Sequence, residues 1–253
     1  MSKEYKYYCT NCGGKVEGLF KKYSETVLKL TECKCCNEIA DKYVEYDIVI
    51  IIIDLILLNT KAYRHILLNT DFKHFWKLSV VLILLESYCI WALSCGVNTP
   101  CKPINKTEPK LHDFDMNTED LKFYVICLNT TLSYLCFVAV MYFLTVLYNK
   151  YLASRPYTPS QLALIVKTAT LSSTGIFLQL PSIIWDMSLF SYHLHFITLY
   201  TWLCQLLAYK VICPSPKIWC LLVIFSAHIL KSASSLYLTI QLNSILHESL
   251  ELQ

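Results

Sequence analysis

The sequence predicts an all-α membrane bundle of about four to five transmembrane helices, preceded by an amphipathic interfacial helix and a small N-terminal ribbon. Three observations carry this prediction. The 253 residues are 55% hydrophobic and only 16% charged, whereas soluble domains carry about 25% charged residues. Lys and Glu are concentrated in residues 1–47, while most of the chain after residue 74 is apolar. The charged head also holds a paired set of cysteines. These features divide the chain into a ribbon (1–47), an interfacial segment (48–73), a transmembrane bundle (74–240) and a C-terminal tail (241–253).

The ribbon follows from cysteine spacing. Cys9-Thr10-Asn11-Cys12 and Cys33-Lys34-Cys35-Cys36 are two C-x2-C pairs separated by 20 residues, at the edge of the usual four-cysteine zinc spacing. Each C-x2-C turn supplies one edge of a tetrahedron of thiolates, with sulfurs about 2.3 Å from the ion. Gly13 follows the first pair and Asn37 the second; both tolerate the positive φ that turns the chain back toward sulfur. Cys9, Cys12, Cys33 and Cys36 are therefore the expected Zn2+ ligands. Cys35 is a competing candidate for either position of the second pair. Four cysteines close the coordination shell, so the expected zinc is structural. A ribbon this small has almost no core, and metal supplies most of its folding free energy. Glu25 to Thr31 is compatible with a β-strand between the turns.

The interfacial segment is an apolar run too short to span. Ile48 to Leu58 offers eleven residues, and a bilayer needs about 20. Extending it to Leu68 brings in Asp54, Lys61, Arg64 and His65, at about 2.5–3.5 kcal/mol per central charge. On a helix, Asp47, Asp54, Lys61 and His65 fall within about 40° of one another. One helix over 48–68, with a single wet polar stripe, is the expectation. A β-strand through the isoleucines is the alternative.

Five later stretches are long enough to cross: Phe75–Ser94, Phe123–Tyr148, Leu162–Trp185, Leu189–Tyr209 and Ile218–Ile240. The third and fifth are rich in Ser and Thr and carry Lys167 and Lys231. The first apolar run begins at Ile48, after a charged stretch unlike a signal peptide, so the head is expected on the cytosolic side, where clustered thiols hold metal rather than disulfides. Eleven Lys/Arg precede the first span, which agrees with a head-in, C-terminus-out arrangement. The first outer loop holds the sequon Asn105-Lys106-Thr107 and, at its start, Cys95 and Cys101, a candidate disulfide. Inside the spans, Glu86, His228 and Lys231 mark function by default; Glu86 and Lys231 are expected to pair.

Other classes are poorly supported. The net charge is only +3 and the lysines are scattered, so nucleic acid is not an expected partner. Motifs for serine hydrolases, P-loops, H-E-x-x-H metalloenzymes and dinucleotide folds are all missing. His193-Leu194-His195 is an incomplete metal set that suits an interfacial position. No enzyme is expected.

Cys9-x2-Cys12, Cys33-x2-Cys36, DKYVEYD (41–47), the isoleucine-rich helix and AYRHILLN (62–69) together resemble the homology domain of the Arv family, proteins named for a link to sterol acyltransferase and a requirement for viability. The resemblance continues through Glu86-Ser87-Tyr88 and recurs in Lys167, Leu171-Ser172-Ser173, Gly175 and LPSIIWD (180–186). It is specific over about residues 5–88 and 167–186, and the extra Cys35 departs from the simple pattern. It implies an endoplasmic-reticulum membrane protein of lipid homeostasis, associated with intracellular sterol transport, sphingolipid metabolism and glycosylphosphatidylinositol-anchor assembly. The expected partners are membrane lipids, either sterols or glycolipid intermediates, and subunits of lipid-biosynthetic enzymes. Direct transport and scaffolding of such enzymes both suit the family. Tyr46, Arg64 and His65 are expected near headgroups, and Glu86 and Lys231 at a lipid or partner surface within the bundle.

Overall fold

A computed structural model of the chain describes residues 7–22, 28–71, 73–98, 116–152, 160–184 and 191–251. The head consists of two small antiparallel hairpins. β1 (Tyr7–Tyr8) pairs with β2 (Lys15–Val16), and β3 (Phe20–Lys22) pairs with β4 (Leu28–Leu30). β4 lies inside the strand expected over 25–31; residues 23–27 lie outside the described residues. Among the described residues, the head's buried apolar cluster is Cys9, Val16, Leu19, Cys33 and Ala40. So small a core cannot offset the ordering of some forty residues without a staple.

A 3-10 turn (Lys42–Glu45), N-capped by Asp41, leads from the head into α1 (Ile48–Ile56). The single helix expected over 48–68 is not formed. α1 ends after nine residues, Leu58 turns at φ 59°, and α2 (Thr60–Arg64) starts from an Asn59 cap whose side chain accepts the Lys61 N–H at 3.1 Å. A π-turn (His65–Asn69) completes the hairpin. The break has a physical cause in side-chain hydrogen bonds from Tyr43. Its hydroxyl donates to Asp54 Oδ2 at 2.5 Å and accepts from Asn59 Nδ2 at 3.3 Å, holding both ends of the turn against the head. A non-glycine residue at positive φ costs about 1–2 kcal/mol, which these contacts and the Asn59 cap offset. The expected wet stripe is likewise partly consumed, because Asp54 and His65 face protein partners.

The remaining described elements are helical: α3 (Phe75–Asn98), α4 (Met116–Tyr151), α5 (Ser160–Ser172), a 3-10 segment (Ser173–Leu178), α6 (Gln179–Ile184), α7 (Ser191–Ile212) and α8 (Lys217–Glu251). Among the described residues, four stretches are long and apolar enough to cross a membrane: Phe75–Ala92, Leu121–Tyr151, Gln161–Pro181 and Lys217–Gln241. α7 corresponds to the expected span Leu189–Tyr209 and has the length, about 33 Å, but its polar residues keep it outside that set. The stretch after residue 240, expected as a tail, continues α8 to Glu251. Residues 99–115 lie outside the described residues, and with them the sequon and Cys101 of the candidate disulfide.

The third span is not one continuous α-helix as expected. Thr168, Thr170, Ser173 and Thr174 turn their hydroxyls back onto carbonyls three or four residues earlier, which weakens the α-helical ladder. The chain then tightens into 3-10 turns at Ser173. Gly175 allows this segment to lie against α7: a Cβ there would stand 2.5 Å from Thr201 Oγ1. The bundle core packs Phe137, Met141, Ile165, Ala169, Tyr209, Val223 and Ala227, with α4 lying along α8. Hydroxyl contacts join the helices as well, through Ser79–Thr170 at 2.7 Å, Tyr134–Thr170 at 3.0 Å and Thr145–Tyr209 at 3.0 Å.

Candidate functional site

The two cysteine turns are built alike. In the first, Gly13 N–H donates to the Cys9 carbonyl at 2.9 Å; in the second, Asn37 N–H donates to the Cys33 carbonyl at 2.9 Å. Gly13 sits at φ 79° and Asn37 at φ 55°, the positive values expected of them. Gly14 N–H then points at Cys12 Sγ at 3.4 Å, and Cys35 N–H at Cys33 Sγ at 3.5 Å. The turns face each other because Thr10 N–H donates to the Ala40 carbonyl at 2.8 Å.

This brings the sulfurs of Cys9, Cys12, Cys33 and Cys36 within 4.8 Å of one another, a group that can hold a metal ion. Two of its edges measure 3.8 Å (Cys9–Cys36) and 3.6 Å (Cys12–Cys33). A tetrahedral ion with sulfur bonds of about 2.3 Å requires edges of about 3.8 Å, so the donors fit a closed four-sulfur shell. Cys35 is not in the group; it is exposed, and its contribution is the backbone N–H to Cys33. That N–H is the main reason the Cys33 thiol is drawn down to about 6, while burial pushes the Cys9 thiol up to about 12. Backbone N–H groups aimed at sulfur thus favour the thiolate at Cys33.

The same head is locked onto the hairpin. Arg64 Nη1 donates to the Thr10 and Asn11 carbonyls at 2.9 and 2.6 Å, the two residues inside the first cysteine turn. Asp41 is fully buried. Its Oδ2 accepts from His65 Nδ1 and Asn69 Nδ2, both at 2.7 Å, and its Oδ1 accepts Tyr43 N–H at 3.0 Å. Asn69 also accepts Tyr8 N–H at 2.9 Å and donates to the Tyr8 carbonyl at 2.8 Å, adding itself to β1 as a partner strand would. Lys167 reaches down from α5 to the carbonyls of Leu67 (3.3 Å) and Thr70 (2.8 Å), a cation on the open C-terminal end of the π-turn. Ribbon, hairpin and bundle are therefore joined by one polar chain of contacts.

Arg64 and His65, expected near headgroups, are thus engaged with the head. Tyr46 is exposed at the entry to α1 and packs edge-on against Tyr43, ring centroids 5.6 Å apart. Below it, α1 presents a continuous apolar face: Ile48 is 72% exposed, Ile56 55% and Leu57 71%, and only Ile51 of this helix is buried. Glu86 and Lys231 do meet, Lys231 Nζ donating to Glu86 Oε1 at 2.7 Å. Nearby, His228 Nε2 donates to Gln205 Oε1. The residues that sequence reasoning did not single out are Asp41, Tyr43, Asn69, Lys167 as a cap, and Gln205. Four of these five lie in the strings 41–47 and 62–69 or among the isolated resemblances; Gln205 carried no signal.

The profile of the Arv1-like family matches residues 8–209. The chain is 31% identical over 234 residues to mouse Protein ARV1, covering 89% of this chain and 81% of the mouse protein. It is 33% identical to human Protein ARV1 over 183 residues, covering 71% of this chain and 62% of the human one. Arabidopsis thaliana Protein ARV 2 is 45% identical over 95 residues, 35% of this chain and 41% of the plant protein. No solved structure matches the chain. A multi-pass helical bundle, a four-cysteine metal-competent head and this match over most of its length together show that the chain belongs to the Arv1-like family.

Proposed function

We propose that this protein is a non-enzymatic endoplasmic-reticulum membrane protein of lipid homeostasis that mediates or regulates intracellular sterol transport. Effects on sphingolipid metabolism and glycosylphosphatidylinositol-anchor assembly follow from altered lipid supply. Zn2+ is held structurally by Cys9, Cys12, Cys33 and Cys36, and the ribbon faces the cytosol. The observation that carries this reading is the coupling of a rigid head to α1. Seven apolar residues from Ile48 to Leu57 are exposed on a helix only about 14 Å long. So large an apolar patch is costly in water and marks a membrane-contact site. At that length α1 enters one leaflet rather than crossing. The Tyr43–Asp54 hydrogen bond orients it against the head, Arg64, His65 and Asp41 lock the following hairpin to the same head, and Tyr46 stands where an aromatic belt would.

Fluorescent sterol exchange between liposomes, with and without the purified protein, tests the reading. Acceleration that is lost when Ile52 and Ile53 are both replaced by Ser supports it; no acceleration by intact protein overturns direct transport. A scaffold for a lipid-biosynthetic enzyme is the second reading. The exposure of Phe20, Leu28 and Ile39 on the ribbon favours it, because these apolar side chains are not part of α1 and suit a protein partner. Stable co-purification of such an enzyme, without exchange activity, would select it.

A further inference from the structure

A cavity of about 850 Å3 opens in the bundle between the 3-10 segment, α7 and α8, with Glu86 of α3 on its wall. Its lining is unusual for a membrane interior. Glu86, Lys231, Gln205 and His228 share it with Thr198, Thr201 and several serines, while Trp202, Phe225 and Leu236 form its apolar side. The polar groups come from α3, α7 and α8, with Ser173 of the 3-10 segment and Gln179 of α6 beside them. Lys231 lies about 21 Å along α8 and Glu86 about 16 Å along α3, both well inside a hydrocarbon core about 30 Å thick.

A purely structural ion pair would be sealed by packing. This one is not: the side chains of Lys231 and Glu86 keep 25% and 22% of their exposure, and both face the cavity. Charges open to a space within the hydrocarbon require water or a polar ligand there. Gln205, only 4% exposed, also borders the space and holds His228 in place. The cavity falls within the range of about 300–1,000 Å3 that accommodates drug-sized ligands.

Charge balance selects the ligand. Glu86 and Lys231 cancel, so an anionic or cationic headgroup would leave one charge unmatched in a low-dielectric site. A neutral hydroxyl does not displace a 2.7 Å charge-assisted contact. A zwitterion offers a partner to each half of the pair and exchanges one ionic contact for two. We propose that this chamber binds the zwitterionic headgroup of a phospholipid, its ammonium on Glu86, its phosphate on Lys231 and its acyl chain against Trp202, Phe225 and Leu236. The inference rests on the reading of the bundle as a lipid-handling surface.

The test uses the full-length protein in detergent micelles, titrated by native mass spectrometry. Three probes share one acyl chain: lysophosphatidylcholine (zwitterionic), lysophosphatidylglycerol (anionic) and a monoacylglycerol (neutral). The zwitterion binds saturably, one per chain, and at least about tenfold more tightly than either of the others. The double variant Glu86→Gln, Lys231→Gln loses that preference. Ser232→Trp fills the opening, leaves the ion pair in place and weakens zwitterion binding by a similar factor; it decides the matter if the double variant does not fold. Equal affinity for the three probes, or undiminished selective binding in the folded variants, overturns the proposal. Sterol exchange measured on the same wild-type protein separates the two readings. Selective binding without exchange removes direct transport alone, whereas exchange without selective binding removes this inference alone.

Discussion

Asp41→Ala should undock the ribbon from the membrane hairpin without emptying the metal site. Asp41 is fully buried and accepts hydrogen bonds from His65, Asn69 and the Tyr43 N–H. Removing the carboxylate strands the His65 and Asn69 donors between head and hairpin. Each unsatisfied buried donor costs about 1–3 kcal/mol. His65 keeps 11% exposure and Asn69 retains both of its bonds to Tyr8, so the combined cost lies near the low end, about 3 kcal/mol. At about 1.4 kcal/mol per factor of ten, the undocked population rises on the order of 100-fold. Asp41→Asn keeps one acceptor and the volume, and its cost falls to about 1 kcal/mol. Amide hydrogen–deuterium exchange on the purified protein reads this directly. Exchange speeds up across β1 and the π-turn in Asp41→Ala and only slightly in Asp41→Asn, while one equivalent of zinc is retained. The reasoning fails if the two variants exchange alike, or if Asp41→Ala loses its metal while the β1 and π-turn amides stay protected.

Three further outcomes are expected. Cys36→Ser abolishes stoichiometric zinc and unfolds the ribbon, whereas Cys35→Ser retains it, because Cys35 contributes a backbone N–H rather than sulfur; zinc stoichiometry after dialysis separates the two. Glu86→Lys and Lys231→Glu each destabilise the bundle by about 2–4 kcal/mol, discounted for partial exposure, and the double swap recovers most of the loss in detergent thermal unfolding. Gly175→Val forces the 3-10 segment away from Thr201, since even a Cβ has no room there; a cost of at least about 1–3 kcal/mol appears as a lower midpoint in the same assay, and Thr201→Gly recovers part of it.

The four-cysteine group was legible in the sequence except for the place of Cys35. C-x2-C spacing constrains four sulfurs through short backbone loops, and Gly13 and Asn37 advertised the positive φ those loops need. Choosing between Cys35 and Cys36 required knowing which of two neighbouring sulfurs faces the other turn, and that depends on how Thr10 and Ala40 pair across the head. The Glu86–Lys231 pair was legible for a different reason: opposite charges within apolar spans have few other partners. The hairpin was not legible. Ile48 to Leu68 has the composition of one helix, and Leu58 gives no local reason to turn; the turn is imposed by Tyr43 across a sequence gap of 11 residues to Asp54 and 16 to Asn59.

By itself the sequence determined what local chemistry and transfer energetics determine. These are four cysteines spaced to hold a metal ion, a segment too short to span, and helices greasy enough to cross. Tertiary structure alone decided where the polar residues are used. Arg64 and His65, expected near headgroups, grip the ribbon, because backbone carbonyls and a buried carboxylate lie within reach. The third span looked continuous and is broken, because its hydroxyls compete with the helix ladder and Gly175 lets α7 approach. Partner choice among buried polar groups is a non-local problem: each must be satisfied, but only the fold brings its acceptor near.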